Sequence, residues 1–185
     1  VGGGGGWARR PAEPRLVAIG GLSGSGKSTV SRAVGPELGA RPGARWLRSD
    51  VIRKVQAGVD ENEKLPSTAY GPGTSVPVYQ EMYERTEAAL RAGHSVILDA
   101  VFAREEERHR ASQLAQSLNV PFNGIWLEAP VEIRKARVAE RKNDASDADT
   151  GVVDKQMATD LGTIRWTRVD AGAGAIERVR DLLIT

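Results

Sequence analysis

Leu16-Val17-Ala18-Ile19-Gly20-Gly21-Leu22-Ser23-Gly24-Ser25-Gly26-Lys27-Ser28 is the stretch that decides the fold. Its unbroken apolar start suits a strand buried on both faces, a glycine-rich turn follows at once, and residues 28–38 read as a helix. From Gly21 to Ser28 the turn matches G-x-x-x-x-G-K-[ST] at every specified position, and a strand before and a helix after are the context that gives this motif meaning. Glycines at this spacing let consecutive N–H groups curl around phosphate oxygens. Gly21, Ser23, Gly24, Ser25, Gly26, Lys27 and Ser28 are therefore candidate nucleotide contacts, with Lys27 reaching the β/γ-phosphates and the Ser28 hydroxyl suited to Mg²⁺. Thr29 is either an α-phosphate contact or an ordinary first-turn helix residue. The bland alternative, a glycine turn with an incidental lysine, has to account for four specified residues and two flanking elements together.

The same alternation continues outward. Residues 46–49 read as a second strand, 95–99 as a third, 122–127 as a fourth and 164–169 as a fifth. Helices are expected over 76–92, with Tyr79, Met82, Tyr83, Thr86 and Leu90 at core spacing and Gly93 at the cap, and over 105–118, 131–142, 152–161 and 173–183. Residues 51–74, carrying Pro66, Gly71, Pro72 and Gly73, read as a long irregular segment of the kind that covers a substrate. Residues 143–150 (NDASDADT) read as a polar break. Asp144, Asp147 and Asp149 within it lack the glycine and terminal glutamate of an EF-hand and read as a solvated loop. Strands alternating with helices imply an α/β fold with a parallel sheet covered on both faces.

The chain has 185 residues, 40% hydrophobic and 27% charged, which suits one domain with a real core. Residues 1–14, with five consecutive glycines and two prolines, read as a flexible tail or linker ahead of a domain over 15–185. With 26 Lys+Arg against 24 Asp+Glu the net charge is only +2, a weak basis for bulk attraction to nucleic acid or membrane. The absence of cysteine rules out disulfides and thiolate chemistry, and two histidines, His94 and His109, are too few for a histidine-rich metal centre. No apolar run approaches a membrane span, and a cytoplasmic location is the expectation.

The residues after the phosphate loop favour transfer over hydrolysis. Motor-type ATPases end the corresponding strand with Asp-Glu, the glutamate polarising water, whereas here the run is Val96-Ile97-Leu98-Asp99-Ala100. Asp99 is placed to hold Mg²⁺ through water or to orient a substrate. No N-K-x-D guanine-reading segment is present. Asp50 ends the second strand, where the carboxyl ends of a parallel sheet line the ligand crevice, and a carboxylate there can accept the proton of an acceptor hydroxyl; the competing reading is a helix cap before Val51-Ile52-Arg53. Arg53 is either a binder of an acidic acceptor group or a solvated helix residue. Arg134, Arg137 and Arg141 fall at i, i+3 and i+7 on one helical arc, a guanidinium-rich face suited to close over the γ-phosphate as lid arginines do; the alternative is a solvated face paired with Glu140 and nearby acids.

Taken in order, Gly21 to Ser28, Leu47-Arg48-Ser49-Asp50-Val51-Ile52-Arg53, Val96-Ile97-Leu98-Asp99-Ala100-Val101-Phe102 and the 134–141 helix give a chain that resembles the small P-loop kinases over residues 15–184. It looks closest to bacterial predicted-kinase, AAA-type ATP-binding domains related to zeta toxins, gluconate kinase and the phage polynucleotide 5′-kinase, some of them fused to an aminoglycoside-phosphotransferase-like domain. The resemblance implies a three-layer P-loop NTPase sandwich with a parallel five-stranded sheet of order 2-3-1-4-5 and a mobile lid. It matches Asp50 to the acceptor-activating aspartate, Asp99 to the aspartate of the third strand, Arg137 and Arg141 to the lid arginines, and the region from Arg168 to Ala171 to the adenine-side loop. The leading expectation is a Mg²⁺·ATP-dependent kinase for a small hydroxyl compound. A polynucleotide 5′-hydroxyl kinase, served by Arg41, Arg45, Arg48, Arg53 and Lys54, and a nucleotide-binding regulatory or toxin-like module with little turnover are the alternatives.

Overall fold

A computed structural model of the chain describes residues 12–142 and 144–184. The tail expected over residues 1–14 lies, as far as residue 11, outside the described residues. The strands are β1 (Leu16–Gly20), β2 (Arg45–Arg48), β3 (Val96–Asp99), β4 (Phe122–Glu128) and β5 (Thr167–Asp170). The helices are α1 (Lys27–Val34), α2 (Ser49–Gln56), α3 (Pro72–Arg91), α4 (Glu105–Ser117), α5 (Val131–Glu140), α6 (Thr150–Met157) and α7 (Ala175–Ile184). The five strands are all parallel, in the order β2-β3-β1-β4-β5.

Side chains alternate across a strand, so one apolar run can build two cores. Leu16 and Ala18 of β1 join Val96 and Leu98 of β3 and Trp126 of β4 on the face covered by α3 and α4. Val17 and Ile19 join Ile97, Ile125 and Leu127 on the face covered by α1 and α7. The result is three layers with β1 at the centre, its register running Ile19↔Asp99 on one side and Gly20↔Trp126 on the other. The phosphate loop therefore leaves the sheet beside the carboxyl ends of β3 and β4.

Several boundaries differ from the sequence reading. Residues 51–74 are not irregular throughout: α2 begins at Ser49, with Ser49, Ile52 and Lys54 turned inward, and a 3₁₀ turn spans Ser67–Tyr70. Asp50 is thereby a first-turn residue, the cap position falling on Arg48. Helix α3 starts at Pro72 rather than 76, because proline is well placed at the first helical position. Strand β5 starts at Thr167, since Trp166 lies against Gly124, where an added Cβ would fall 2.5 Å from the indole, instead of pairing in the sheet. Helix α5 ends at Glu140, leaving Arg141 in an extended cap and breaking the expected arc of arginines. No described helix is long and apolar enough to cross a membrane.

Candidate active site

The loop between β1 and α1 is shaped by backbone constraints. Gly24 and Gly26 hold φ of +82° and +91°, a region that side chains with a Cβ rarely enter. At Gly24 space is also closed, because a Cβ would sit 2.8 Å from the Cα of Arg134 on α5. Lys27 Nζ donates to the carbonyl of Gly21 at 2.9 Å and approaches that of Leu22 at 3.4 Å, which bends the lysine back over the loop. Burial holds its pKa below the ordinary lysine value, against the raising effect of Asp99 and Asp50. An anion in the loop would restore the favoured charge.

The loop is fixed from behind by the turn after β3. Gly21 N–H donates to the Val101 carbonyl at 3.2 Å. Phe102 is fully buried at φ +53°, unusual for a bulky residue, and is held on both sides: its N–H donates to Tyr79 Oη at 2.9 Å and its carbonyl accepts from Arg108 at 2.7 Å. Arg108 also donates to the carbonyls of Ala103, Leu161 and Thr163. Sequence reading did not single out Arg108, and its position on a charged helix carries no local mark of burial.

At the carboxyl end of β3, Asp99 Oδ2 accepts from Ser28 Oγ at 2.8 Å and from Trp46 Nε1 at 3.1 Å, with Arg48 Nε at 3.9 Å. A hydroxyl and a carboxylate facing each other offer hard oxygen ligands, the donor set Mg²⁺ takes alongside substrate phosphates. Among the described residues no group of three or more acidic, histidine or cysteine side chains forms a cage, so Ser28 and Asp99 fit an ion shared with a phosphate. Ser25 Oγ, buried in the same loop, has no hydrogen-bond partner among the described residues.

Asp50 stands in the first turn of α2, two residues beyond the end of β2. No described residue donates a hydrogen bond to its carboxylate; burial pushes its pKa above the ordinary aspartate value, with Lys27, Arg48 and Arg53 pulling the other way and Asp99 adding to the rise. Arg53, one turn on, is directed elsewhere. Its guanidinium donates to the carbonyl of Ala69 at 2.7 Å and that of Thr74 at 3.3 Å and lies 4.9 Å over the Tyr70 ring, holding the segment before α3.

A cavity of about 430 Å³ opens between the loop, α5 and the start of α7, lined among others by Gly24, Ser28, Thr29, Arg137, Arg141 and Ala171. Thr29 is exposed on its rim. Arg137 donates to the carbonyls of Gly24 at 3.3 Å and Ala171 at 2.7 Å, so it joins the phosphate loop to the stretch after β5. Arg141 pairs loosely with Asp144 at 3.8 Å. Arg134 does not line this cavity; it is 6% exposed, and one of its guanidinium nitrogens has no hydrogen-bond partner among the described residues. Ser23 is also committed: its N–H donates to Gln156 Oε1 at 2.9 Å and its hydroxyl accepts from Gln156 Nε2 at 3.0 Å, which ties α6 to the loop. Gln156 had no signal in sequence beyond lying in an expected helix.

The aspartates of 144–149 correct the expectation of a solvated loop. Asp144 receives Arg48 Nη2 at 2.6 Å; Asp147, only 7% exposed, receives Lys54 Nζ at 2.8 Å, the Leu65 N–H at 2.8 Å and the Tyr70 hydroxyl. Burial opposes the charge of Asp147, but these three donors outweigh it and hold its pKa below the ordinary range. Asp149 caps α6 through the Val152 N–H at 3.1 Å. Charged partners more than 80 residues away in sequence hold Asp144 and Asp147, while Asp149 is exposed, as expected of a solvated loop.

Residues 16–159 match the model of a family described as AAA domain. The chain belongs to that family. Several of the proteins it is similar to are named kinases. A shikimate kinase of Nitrobacter winogradskyi is 31% identical over 130 residues, 69% of this chain and 53% of its own length. An uncharacterized protein of Mycobacterium tuberculosis is 32% identical over 170 residues, 90% of this chain and 33% of its own; the chain thus spans one third of the length of that relative. In fold it is similar to the Mycobacterium tuberculosis APS kinase solved with AMPPNP and APS, at a TM-score of 0.67 and 17% identity, covering 94% of this chain and 98% of the other. The AAA-domain match covers the phosphate loop, Asp50, Asp99, Arg137, Arg141 and α6, and stops before β5.

Proposed function

We propose that the chain is an ATP-dependent phosphotransferase that moves the γ-phosphate to a hydroxyl of a small acceptor. The observation that carries this reading is Asp50: a carboxylate in the first turn of α2, two residues beyond β2, that accepts no hydrogen bond among the described residues and stands within electrostatic reach of Lys27, the motif lysine of the phosphate loop. The N–H groups of Gly24 to Thr29 and the Lys27 ammonium bind the phosphates, and Arg137 and Arg141 neutralise charge from the α5 side. Mg²⁺, held by Ser28 and Asp99, would supply charge neutralisation between the β- and γ-phosphates.

The acceptor oxygen attacks the γ-phosphorus while the bond to the β–γ bridging oxygen breaks. The hydroxyl proton passes to Asp50, and ADP leaves with the bonding electron pair. A pKa raised by burial makes Asp50 a stronger base than an exposed aspartate. It also predicts an acid limb in the rate.

The test is γ-phosphate transfer from labelled ATP into hydroxyl acceptors by wild type and Asp50→Asn. Transfer in the variant should drop by roughly 10²–10⁴-fold, the usual contribution of a positioned base, with ATP affinity changed only a few-fold. In wild type, kcat/KM should decline as pH falls through a value above the ordinary aspartate pKa, because protonated Asp50 cannot take the proton. Full transfer by Asp50→Asn would remove Asp50 from this role.

A further inference from the structure

The cations beside Asp50 are already used by the protein. Arg48 is shared by Asp144 at 2.6 Å, Glu61 at 3.8 Å and Asp99 at 3.9 Å, and its guanidinium lies 5.2 Å over the Trp46 ring. Lys54 is 1% exposed and locked to Asp147. Arg53, with no carboxylate partner among the described residues, spends its donors on the Ala69 and Thr74 carbonyls and on Ser75 Oγ at 3.3 Å; its charge acts on Asp50 itself.

Resting on the kinase reading above, we infer that the acceptor is a hydroxyl compound without negative charge, either a neutral polyol or an amine-bearing one. The reason is the company the acceptor keeps. It must approach a γ-phosphate that already draws on Lys27, Arg137 and Arg141, and it must sit against Asp50, which works only as a carboxylate. A second anion placed there needs a cation of its own, since like charges side by side cost several kcal/mol. Lys54 could supply one only by abandoning Asp147, which leaves a buried carboxylate uncompensated, and Arg48 only by giving up its 2.6 Å contact with Asp144, which then keeps Arg141 at 3.8 Å alone. A neutral or cationic acceptor meets no such penalty, and an amine gains from Asp50 and from the half-exposed Glu61.

This class differs from the acceptors of kinases that act on shikimate, gluconate or APS, all anions at neutral pH. It also excludes the 5′ end of a polynucleotide, which would bring a run of phosphates to the same wall. The acid–base pairing that creates the exclusion joins residues 48 and 54 to residues 144 and 147, so no local stretch displays it.

The experiment uses a cell extract freed of macromolecules and split on an anion-exchange resin into an unbound fraction, neutral and cationic, and a bound, anionic one. Each is incubated with the full chain, Mg²⁺ and γ-labelled ATP, beside a 5′-hydroxyl oligonucleotide, shikimate, gluconate and APS as defined anionic probes. Label should enter the unbound fraction at a rate roughly 100-fold or more above any anionic sample. Stronger labelling of the bound fraction, the oligonucleotide or a defined anion overturns the inference and leaves the kinase reading standing. Label released only as free phosphate from every sample overturns the kinase reading, and the inference with it. Asp144→Asn, which frees Arg48 from its shortest partner, should raise the anionic-to-neutral ratio about tenfold; an unchanged ratio means that Arg48 does not set acceptor charge.

Discussion

The two walls of the cleft are built by different physics. The donor wall is backbone: a loop of glycines whose N–H groups, left-handed φ values and close fit to α5 follow from one contiguous stretch. The wall assigned to the acceptor under the proposed kinase reading rests on side chains, with Arg48, Lys54, Tyr70, Asp144 and Asp147 meeting behind it from segments up to 96 residues apart. A backbone site tolerates side-chain change except where charge or space is critical, while a network of paired charges fails when one member is removed.

The largest effect belongs to Lys27. On the proposed kinase reading it is the donor-wall side chain whose charge acts directly on the phosphates, and preorganised cations aimed at transferring phosphoryl groups are worth several kcal/mol in the transition state. Lys27→Ala should lower phosphoryl transfer by about 10³-fold or more while the fold, read by circular dichroism and thermal melting, is retained. Because burial already depresses its pKa, removing Lys27 relieves a buried charge and the melting temperature should not fall. Transfer within tenfold of wild type would mean that the loop backbone alone supplies the phosphate site.

The contrast between walls also explains what was readable in the sequence. Strand β1, the loop and α1 declared themselves because alternation, glycine spacing and the lysine are local properties, and strand order followed from the kinase resemblance that those residues carry. Arg137 and Arg141 were picked out by spacing, yet their helical arc failed once α5 ended at Glu140, and Arg134 turned into the interior. Asp144 and Asp147 were unreadable for a physical reason. An acidic stretch looks solvated unless its counter-charges are known, and Arg48 and Lys54 lie far upstream. Helix α2 entered the sequence reading only as the alternative in which Asp50 caps a helix, because its inner face is mostly polar: Ser49, Ile52 and Lys54 are buried, and a lysine there makes sense only with Asp147 in view.

The acceptor wall should show its largest effect in stability. Asp147→Asn leaves Lys54 charged and buried without a counter-ion, a loss of about 3–5 kcal/mol measured by urea unfolding. Replacing both partners, Lys54→Met with Asp147→Leu, should recover most of it, because the cost comes from the uncompensated charge and not from lost volume. The pH dependence follows from the depressed pKa of Asp147: its contribution is fully present above the unfolded-state aspartate value and is lost as pH falls through the lower folded value. Wild type should therefore lose stability on acidification in a range where Asp147→Asn changes less. A loss below about 1 kcal/mol in the single variant would place this pair among ordinary surface contacts.

The smallest expected effect lies where the two walls are joined. Helix α6 follows the acidic stretch of the acceptor wall and reaches the donor wall through Gln156, whose amide both accepts from and donates to Ser23. A second tie, Lys135 to Asp154 at 2.7 Å, is largely exposed and adds little. Gln156→Ala should thus cost about 1–2 kcal/mol, two ordinary hydrogen bonds, with the loss confined to α6 and the loop. Amide exchange distinguishes this from general softening: the Ser23 N–H and α6 should exchange faster, while β1 and β3 remain as in wild type. Gln156→Glu keeps an acceptor for the Ser23 N–H and should recover part of the protection at that amide. Equal exchange in all three proteins would mean that Lys135 and Asp154 hold α6 in place, and the joint between the walls would then be electrostatic on both sides.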